Sequence, residues 1–315
     1  MTSHQKVDNK LYNPTFQWRF LLPRFWPTWL GVGLVLILAF VPVVWRDALA
    51  SWIAGRLLNT KSGALKRARI NLAECFPDKT LAEREALLKQ NFQVAAQFFL
   101  AYGELLVRSK RHNQLRCVIH GEEHLFPHLQ AQQKVIALVP HCWAIDYAGV
   151  LLTAHGFKTV AMIRDQKNPI TDWLIHLQRI QYGARVYHRD AGIKPYLKSI
   201  KQGYLGYYLP DEDLGPQNSV FAPFFATEKA TMKGLGKLAN LSNAMVVPML
   251  PAYDTQSKKY HLHILPALEN FPTGDERADA ERMNQTLEEL ISAHPEQYMW
   301  VLNLLRTRPD GARLY

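Results

Sequence analysis

The sequence predicts an α/β fold, with a mixed central sheet flanked by helices and a membrane-anchoring helix near the N-terminus. Two patterns carry this prediction. From residue 121 onward, short apolar runs alternate with segments of helical spacing, which is typical of α/β architectures. Near the N-terminus, 21 consecutive residues lack a charged side chain. A chain of 315 residues is long enough to bury a full core around such a sheet.

The uncharged stretch covers residues 25–45, between Arg24 and Arg46. A helix of that length would rise about 31 Å, close to the hydrocarbon thickness of a bilayer. Trp26 and Trp45 stand near its two ends, as interfacial aromatic residues do. We therefore expect an uncleaved anchor helix over 25–45, preceded by a basic N-terminal tail over 1–24. Both a spanning and a half-inserted arrangement fit the sequence.

The net charge of +10 is distributed unevenly. Residues 46–120 hold thirteen Lys/Arg and six Asp/Glu, whereas residues 121–315 hold twenty of each. Basic residues beside a membrane segment attract anionic lipid and favour the cytoplasmic side. The charge therefore indicates a basic, membrane-proximal region over 46–120 and favours the cytoplasmic side of the membrane, although basic residues flank the uncharged stretch on both sides. No nucleic-acid recognition motif accompanies it, so we expect no nucleic-acid partner.

The order of elements follows from periodicity and turn residues. Residues 48–112 are predicted to be largely helical, with a capping box at Thr80 and Glu83. An α/β catalytic region over 121–315 should follow. Its predicted strands are 135–139, 159–163, 185–187, 205–209, 245–250 and 260–265, and its predicted helices are 146–155, 169–182, 194–202, 228–242 and 277–293.

The most informative pair of residues is His141 and Asp146. His141 directly follows the apolar strand 135–139 and Pro140, in the turn where α/β folds usually place their chemistry. Asp146 opens the next predicted helix. A turn histidine and a first-turn aspartate can meet, so Asp146 could hold one ring nitrogen and leave the other free as a base. A structural histidine with a neighbouring carboxylate is the alternative reading of the same spacing.

Charged residues also follow the ends of later predicted strands. They are Arg164, Arg189, Asp211 and Asp213, and we take them as candidate substrate-binding residues. A guanidinium group matches phosphate oxygens, so Arg164 indicates an anionic substrate. Asp213 could equally cap a turn before Gly215 and Pro216.

Neither the cysteines nor the histidines show a metal-ligand pattern. Cys75, Cys117 and Cys142 are widely spaced, which favours a reducing compartment. His261 and His263 alternate on a predicted strand and are interpreted as ordinary surface or core residues. We therefore expect no bound metal and no organic cofactor.

Taken in order, these motifs resemble the late-acting lipid A biosynthesis acyltransferases of the lysophospholipid-acyltransferase superfamily, over nearly the whole chain. The blocks that carry the resemblance are Asn71-Leu72 with Cys75-Phe-Pro-Asp78, His141-x4-Asp146, Arg164 with Asn168-Pro169 and Asp172, Arg189-Asp190, Tyr208-Leu-Pro-Asp-Glu-Asp213, Phe221-x2-Phe224-Phe225, and the C-terminal His294-Pro-Glu-Gln-Tyr298-x-Trp300.

The resemblance implies a glycerol-phosphate-acyltransferase-like fold and transfer of a fatty acyl chain from acyl carrier protein to a Kdo-lipid A precursor. The acceptor would be the hydroxyl of a 3-hydroxyacyl chain, and His141 with Asp146 would form the catalytic dyad. Partners would be acyl carrier protein, the lipid A precursor and anionic inner-membrane lipid. Asp146 and the run from Val301 to Leu305 are similar to the myristoyl-type branch.

Three other classes of protein remain as alternatives to this reading. A glycerophospholipid acyltransferase would use the same dyad, but its usual Pro-Glu-Gly block is absent from the sequence. A lipase or thioesterase would need a Gly-x-Ser-x-Gly turn, which is also absent. A non-enzymatic membrane scaffold would explain the apolar stretch and the basic region but not His141 and Asp146.

Overall fold

The structure, a computed structural model, describes residues 11–315; of the expected basic tail, residues 1–10 lie outside the described part. Its helices are α1 (Trp26–Leu38), α2 (Val43–Leu57), α3 (Gly63–Cys75), α4 (Leu81–Ala101), α5 (Glu104–Val107), α6 (Lys110–Leu115), α7 (Phe126–Gln130), α8 (Ile145–Ala154), α9 (Pro169–Ile180), α10 (Ile193–Lys201), α11 (Leu235–Ser242) and α12 (Glu276–Ala293). Its strands are β1 (Cys117–His120), β2 (Val135–Leu138), β3 (Thr159–Ile163), β4 (Arg185–His188), β5 (Leu205–Tyr208), β6 (Ser219–Phe224), β7 (Thr227–Met232), β8 (Met245–Asp254) and β9 (Lys259–Ile264).

Seven strands form one mixed sheet in the order β1-β9-β8-β2-β5-β3-β4. All neighbours are parallel except β8 and β9, which are antiparallel. Strands β6 and β7 form a separate antiparallel hairpin. The expected α/β architecture with a mixed central sheet is therefore confirmed, and each of the six predicted strands is present.

The central strand β2 explains why its sequence is an unbroken apolar run. Its four residues are all at most 1% exposed, because helices cover both faces of the sheet. Ile136 and Leu138 pack into a core on one face, together with residues of α3, α11 and α12. Val135 and Ala137 pack into a second core on the other face, together with residues of α8. The β2 strand is thus held rigidly between two cores, and its C-terminal end is a fixed point for the loop that follows.

The expected single helix over 25–45 is wrong. Helix α1 ends at Leu38, and α2 begins only after Pro42. Proline lacks a backbone N–H and its ring clashes with the carbonyl four residues earlier, so the helix cannot continue through residue 42. Over residues 11–315, every helix is too short or too polar to cross a membrane.

A buried arginine stabilises this break between the two helices. Arg46 is 1% exposed and donates to the carbonyl oxygen of Leu38 at 3.3 Å, which also accepts the backbone N–H of Val41 at 3.1 Å at the end of α1. Its Nη1 atom also lies 2.8 Å from the carboxylate of Glu104, which is 3% exposed. The pair joins the N-terminal helices to the segment that leads into the sheet.

One predicted helix is also wrong in its first half. Residues 228–242 were expected to be helical, but the helix starts at Leu235 and residues 227–232 form β7. Thr227 and Thr231 are β-branched and suit a strand, and Phe224 and Thr227 pair at the hairpin turn. By contrast, the expected capping box is present, because Thr80 and Glu83 each bond the other's backbone N–H.

The buried pair at the α1–α2 junction leads to a stability prediction. Arg46→Ala would leave the carboxylate of Glu104 buried, with Arg116 as a more distant partner at 3.4 Å. We expect the free energy of unfolding to fall by about 3 kcal/mol, because the buried Glu104 carboxylate would lose its shortest ion pair and keep only the longer one. Urea denaturation in mild detergent measures this change.

Arg69→Ala is the matched control for Arg46→Ala. Arg69 pairs with Glu85 at 2.7 Å, but both side chains are more than a third exposed. Its loss should change the free energy of unfolding by less than about 1 kcal/mol. Equal effects of the two variants would contradict a special role of Arg46.

Candidate active site

His141 and Asp211 meet because their strands are neighbours. Strands β2 and β5 pair in parallel, with Leu138 opposite Tyr208. His141 and Asp211 each lie three residues beyond this pair, so both emerge at the same edge of the sheet. The carboxyl edge of a parallel sheet is where α/β proteins bind their ligands. The register therefore places a histidine and a carboxylate side by side, 70 residues apart in sequence.

Asp211 holds the His141 ring through two contacts. One carboxylate oxygen accepts the backbone N–H of His141 at 2.7 Å, and the other forms a short hydrogen bond with Nδ1 of the ring. Asp211 is fully buried, whereas the His141 side chain is 17% exposed. With Nδ1 occupied, Nε2 is the nitrogen that can accept a proton from a substrate.

The charges around the ring favour its protonated form. Burial disfavours the imidazolium, but the carboxylate of Asp211 outweighs this effect and raises the pKa of His141 above its usual value. Burial likewise opposes ionisation of Asp211, yet the His141 ring lowers the pKa of that carboxyl. A histidine whose charged form is stabilised in this way accepts a proton readily during a reaction.

The expected bond between Asp146 and the His141 ring is not found. Asp146 instead receives two hydrogen bonds from Arg179, at 2.7 and 3.1 Å, and one from the Tyr102 hydroxyl at 2.6 Å. Burial opposes the charge on Asp146, but Arg179 lowers the pKa of its carboxyl. Within residues 11–315, no hydrogen bond or ion pair joins Asp146 to His141. Asp146 thus fixes the start of α8 against α4 and α9.

The C-terminal segment supports the His141 loop from its other side. The backbone N–H of Met299 donates to the carbonyl of His141 at 2.9 Å, and that of Trp143 donates to the carbonyl of Gln297 at 3.1 Å. Asn91 of α4 holds this segment in turn, with its Nδ2 atom 2.7 Å from the carbonyls of Glu296 and Tyr298. The loop backbone is therefore paired, and the histidine has little freedom to move.

Lys229 lies beneath the pair and was not foreseen from the sequence. Its side chain is fully buried on β7, and its Nζ atom has no hydrogen-bond partner among the described residues. Burial lowers the pKa of Lys229, and the nearby carboxylates of Asp211 and Asp213 oppose that shift. A buried positive charge close to Asp211 favours the ionised carboxylate that the His141 ring requires.

The structure places the other candidate residues along the same edge. Arg189 follows β4, and its Nη1 atom lies 2.6 Å from one carboxylate oxygen of Glu212. The other carboxylate oxygen of Glu212 lies 3.9 Å from Nε2 of His141. Arg164 follows β3, is exposed, and forms no ion pair with any described side chain. Asp213 accepts the backbone N–H groups of Gly215 at 2.9 Å and Thr307 at 2.5 Å. Asp213 thus caps the turn before Gly215 and Pro216. This is the alternative role that its position in the sequence allowed.

Four further residues of the site were missed by sequence reasoning, namely Tyr102, Arg179, Glu212 and Lys229. Glu212 lies between the predicted site residues Asp211 and Asp213, so its position just after β5 could have identified it as a site residue. Tyr102 follows α4, Arg179 lies on α9 and Lys229 lies in the β6–β7 hairpin, and none of these segments carries a motif for this chemistry. The Cys142 side chain is fully buried, and burial raises the pKa of its thiol well above the usual range, which disfavours it as a nucleophile.

Comparison with known proteins identifies the class of protein. The sequence model of the bacterial lipid A biosynthesis acyltransferases matches residues 13–307. The chain is 41% identical over 308 residues to a lipid A biosynthesis acyltransferase of Haemophilus influenzae, covering 96% of this chain and 95% of the relative. It is 39% identical to the lipid A biosynthesis myristoyltransferase of Escherichia coli, over 97% of this chain and 95% of the relative. It is 32% identical to the lipid A biosynthesis lauroyltransferase of Escherichia coli, over 95% of this chain and 97% of the relative.

The protein is therefore an acyltransferase. More particularly, it belongs to the bacterial lipid A biosynthesis acyltransferase family, as its sequence motifs led us to expect.

The geometry of the histidine leads to a prediction about pH. Asp211→Asn removes the carboxylate that stabilises the imidazolium, so the pKa of His141 should fall. The pH profile of kcat/KM reports ionisations of the free enzyme, so its acid limb should move to lower pH. The value of kcat/KM on the plateau of the same profile should fall by about 10²–10⁴-fold. A pH profile with an acyl-thioester donor measures both effects.

Asp146→Asn provides the comparison, since Asp146 does not touch the ring. Its acid limb should stay where the wild-type limb lies, even if the maximum rate changes. An acid limb that moves in Asp146→Asn but not in Asp211→Asn would show that the wrong carboxylate has been assigned.

Proposed function

We propose that the protein transfers a fatty acyl chain from acyl carrier protein to a hydroxyl of a 3-hydroxyacyl chain on a Kdo-lipid A precursor, in lipopolysaccharide biosynthesis. The observation that carries the proposal is the His141–Asp211 pair at the carboxyl edge of the sheet, with Nδ1 bonded and Nε2 left for substrate. A thioester donor is already activated, so this reaction needs a base but no protein nucleophile.

In the proposed reaction, Nε2 of His141 removes the proton of the acceptor hydroxyl as its oxygen attacks the thioester carbonyl. The new carbon–oxygen ester bond forms and the carbon–sulfur bond breaks. The departing thiolate of the carrier protein takes the proton back from Nε2, so the histidine returns to its starting state. Asp211 stabilises the imidazolium between these two steps, and Asp146 positions the loop through Arg179 and Tyr102.

The charge around the site suits an anionic acceptor. Arg164 is exposed and unpaired among the described side chains, so its guanidinium is available for a phosphate group of the precursor. Arg189 forms an ion pair with Glu212. Its guanidinium is therefore better placed to orient the Glu212 carboxylate beside Nε2 of His141 than to bind a phosphate group. The basic region of residues 46–120 adds attraction for anionic lipid and for an acidic carrier protein.

We propose a myristoyl chain as the preferred donor. Identity to the Escherichia coli myristoyltransferase is higher than to the lauroyltransferase, 39% against 32%. Asp146 and the run from Val301 to Leu305 also resemble the myristoyl-type branch.

We further propose that the N-terminal apolar surface lies in the cytoplasmic face of the inner membrane. This surface consists of the exposed apolar side chains of α1, α2 and the preceding turns, namely Trp18, Leu21, Leu22, Trp26, Leu30, Leu34, Ile37, Phe40, Val44, Trp45, Leu49, Trp52 and Leu57. A continuous apolar surface of this size on a folded protein marks a protein or membrane contact. Arg19, Arg24 and Arg56 are exposed along it and suit anionic headgroups.

The same surface lies beside the site. Asn168 caps α9, just beyond Arg164, and its Nδ2 atom donates to the Thr28 hydroxyl of α1 at 2.8 Å. An acceptor embedded in the bilayer could therefore present its phosphate to Arg164 and a hydroxyl to His141 without leaving the membrane.

Mass spectrometry of lipid A tests the proposed reaction. Detergent-purified protein is incubated with an under-acylated Kdo-lipid A precursor and carrier proteins loaded with lauroyl, myristoyl or palmitoyl chains. We expect a gain of one acyl chain, fastest with the myristoyl donor, and a rate about 10²–10⁴-fold lower in His141→Ala.

His128→Ala, a histidine of α7 outside the site, is the control and should keep the wild-type rate. Folded protein that acylates lysophosphatidic acid but not the lipid A precursor would favour a glycerophospholipid acyltransferase instead. Folded protein inactive with both acceptors would contradict the proposed reaction.

Vesicle flotation tests the membrane surface. Leu30, Leu34 and Ile37 form one exposed stripe of α1, and their joint replacement by Gln should weaken binding to phosphatidylethanolamine–phosphatidylglycerol vesicles by about tenfold or more. Leu81→Gln and Leu115→Gln change equally exposed leucines outside the surface and should bind as the wild type does. Equal binding by all variants would refute the proposed surface.

A further inference from the structure

A cluster of histidines lies at the far edge of the sheet from β4. His120 ends β1, and His261 and His263 lie two residues apart on the neighbouring strand β9. The parallel register places His120 directly beside His263. Because side chains two residues apart share a face of a strand, all three rings lie on the same face of the sheet. No sequence pattern connects them, since His120 is 141 residues from His261.

The three rings converge through their nitrogen atoms. Nε2 of His120 lies 3.0 Å from Nδ1 of His261, and one nitrogen from each of the three rings falls within 4.8 Å of the others. In a tetrahedral zinc site the metal–nitrogen distance is about 2.0–2.1 Å, so ligand nitrogens are about 3.3 Å apart. The first pair is already near that spacing. The His263 ring is stacked on the His120 ring, with centroids 4.8 Å apart and planes 7° apart, so it must rotate for its nitrogen to complete the ligand set.

The second nitrogen of His261 is held as it is in known metal sites. Its Nε2 atom lies 3.1 Å from the hydroxyl of Ser257 and 3.9 Å from the carboxylate of Asp254. Metal-binding histidines commonly have their other ring nitrogen bonded to such a group, which fixes the ring and its tautomer. Here this arrangement turns Nδ1 of His261 toward His120. His294, at the end of α12, packs on the ring of His263 with centroids 4.3 Å apart.

We propose that His120, His261 and His263 form a binding site for a divalent transition-metal ion, with Zn²⁺ as the ion that the ligands and geometry suit. Imidazole nitrogens bind zinc, nickel and copper, whereas magnesium and calcium require oxygen ligands. The ion would join β1 to β9 and so strengthen the edge of the sheet. None of these histidines contacts His141 or Asp211 among the described hydrogen bonds, so the site is independent of the proposed acyl transfer.

Titration of untagged, chelator-treated full-length protein with Zn²⁺ in an isothermal calorimeter tests the proposal. The absence of a purification tag matters, because a polyhistidine tag would itself bind the metal. We expect one Zn²⁺ per chain, a thermal unfolding midpoint that rises with Zn²⁺ concentration, and visible absorption from Co²⁺ bound by nitrogen ligands. His261→Asn and His263→Asn should each lose at least about tenfold in affinity.

His128→Asn is the matched control, because this histidine lies on α7 outside the cluster, and it should bind Zn²⁺ like the wild type. His120→Asn, at an exposed strand end, replaces either β9 variant if that variant does not fold. The proposal is overturned if the wild-type protein binds no Zn²⁺, or if its affinity is unchanged in the cluster variants. Loss of binding in His128→Asn alone would also overturn it.

Discussion

The parallel pairing of β2 with β5 is the constraint on which the site depends. Both strands are buried, and their register sets Leu138 opposite Tyr208, so the loops that follow leave the sheet at the same level. A shift of one residue along either strand would turn its side chains to the opposite face and separate His141 from Asp211. The two cores on either side of β2 make such a shift costly. Rigid packing of the central strands is therefore what pre-organises the histidine.

Buried charges surround that pair, and each has a counter-charge nearby. Asp211 is hydrogen-bonded to the His141 ring and is further stabilised by the buried charge of Lys229, while Asp146 is neutralised by Arg179. An isolated buried charge would cost several kcal/mol, so these groups keep one another ionised and fixed in position. The Asp146 group joins α8, α9 and the turn after α4, whereas the Asp211 group joins the loops that follow β2 and β5. The two carboxylates thus have different tasks: one acts on the ring, and the other on the helices that carry the loop.

The N-terminal helices connect this edge of the sheet with an apolar surface. Pro42 divides the uncharged stretch into two helices, and Arg46 uses the break to reach both Leu38 and Glu104. The result is a bent pair of helices whose outer side is apolar and whose inner side packs on α4. Thr28 and Asn168 then place this surface next to the loop of Arg164. An arrangement of this kind suits an enzyme whose acceptor is an amphiphile, because α1, which carries part of the apolar surface, contacts the cap of α9 just beyond the β3 end.

The amino-acid sequence by itself determined the α/β class, the six predicted strands, the family and the histidine at the end of β2. These follow from local patterns, since periodicity, turn residues and ordered motifs are written along the chain. Only the tertiary structure decided that Asp211 rather than Asp146 holds the ring, that residues 227–232 form a strand, and that His120 meets His261. Each of these depends on which segments become neighbours after folding. Asp146 is only five residues from His141, yet this closeness in sequence does not make it the partner of the ring. Parallel pairing of β2 with β5 brings Asp211, 70 residues away, to the same edge of the sheet.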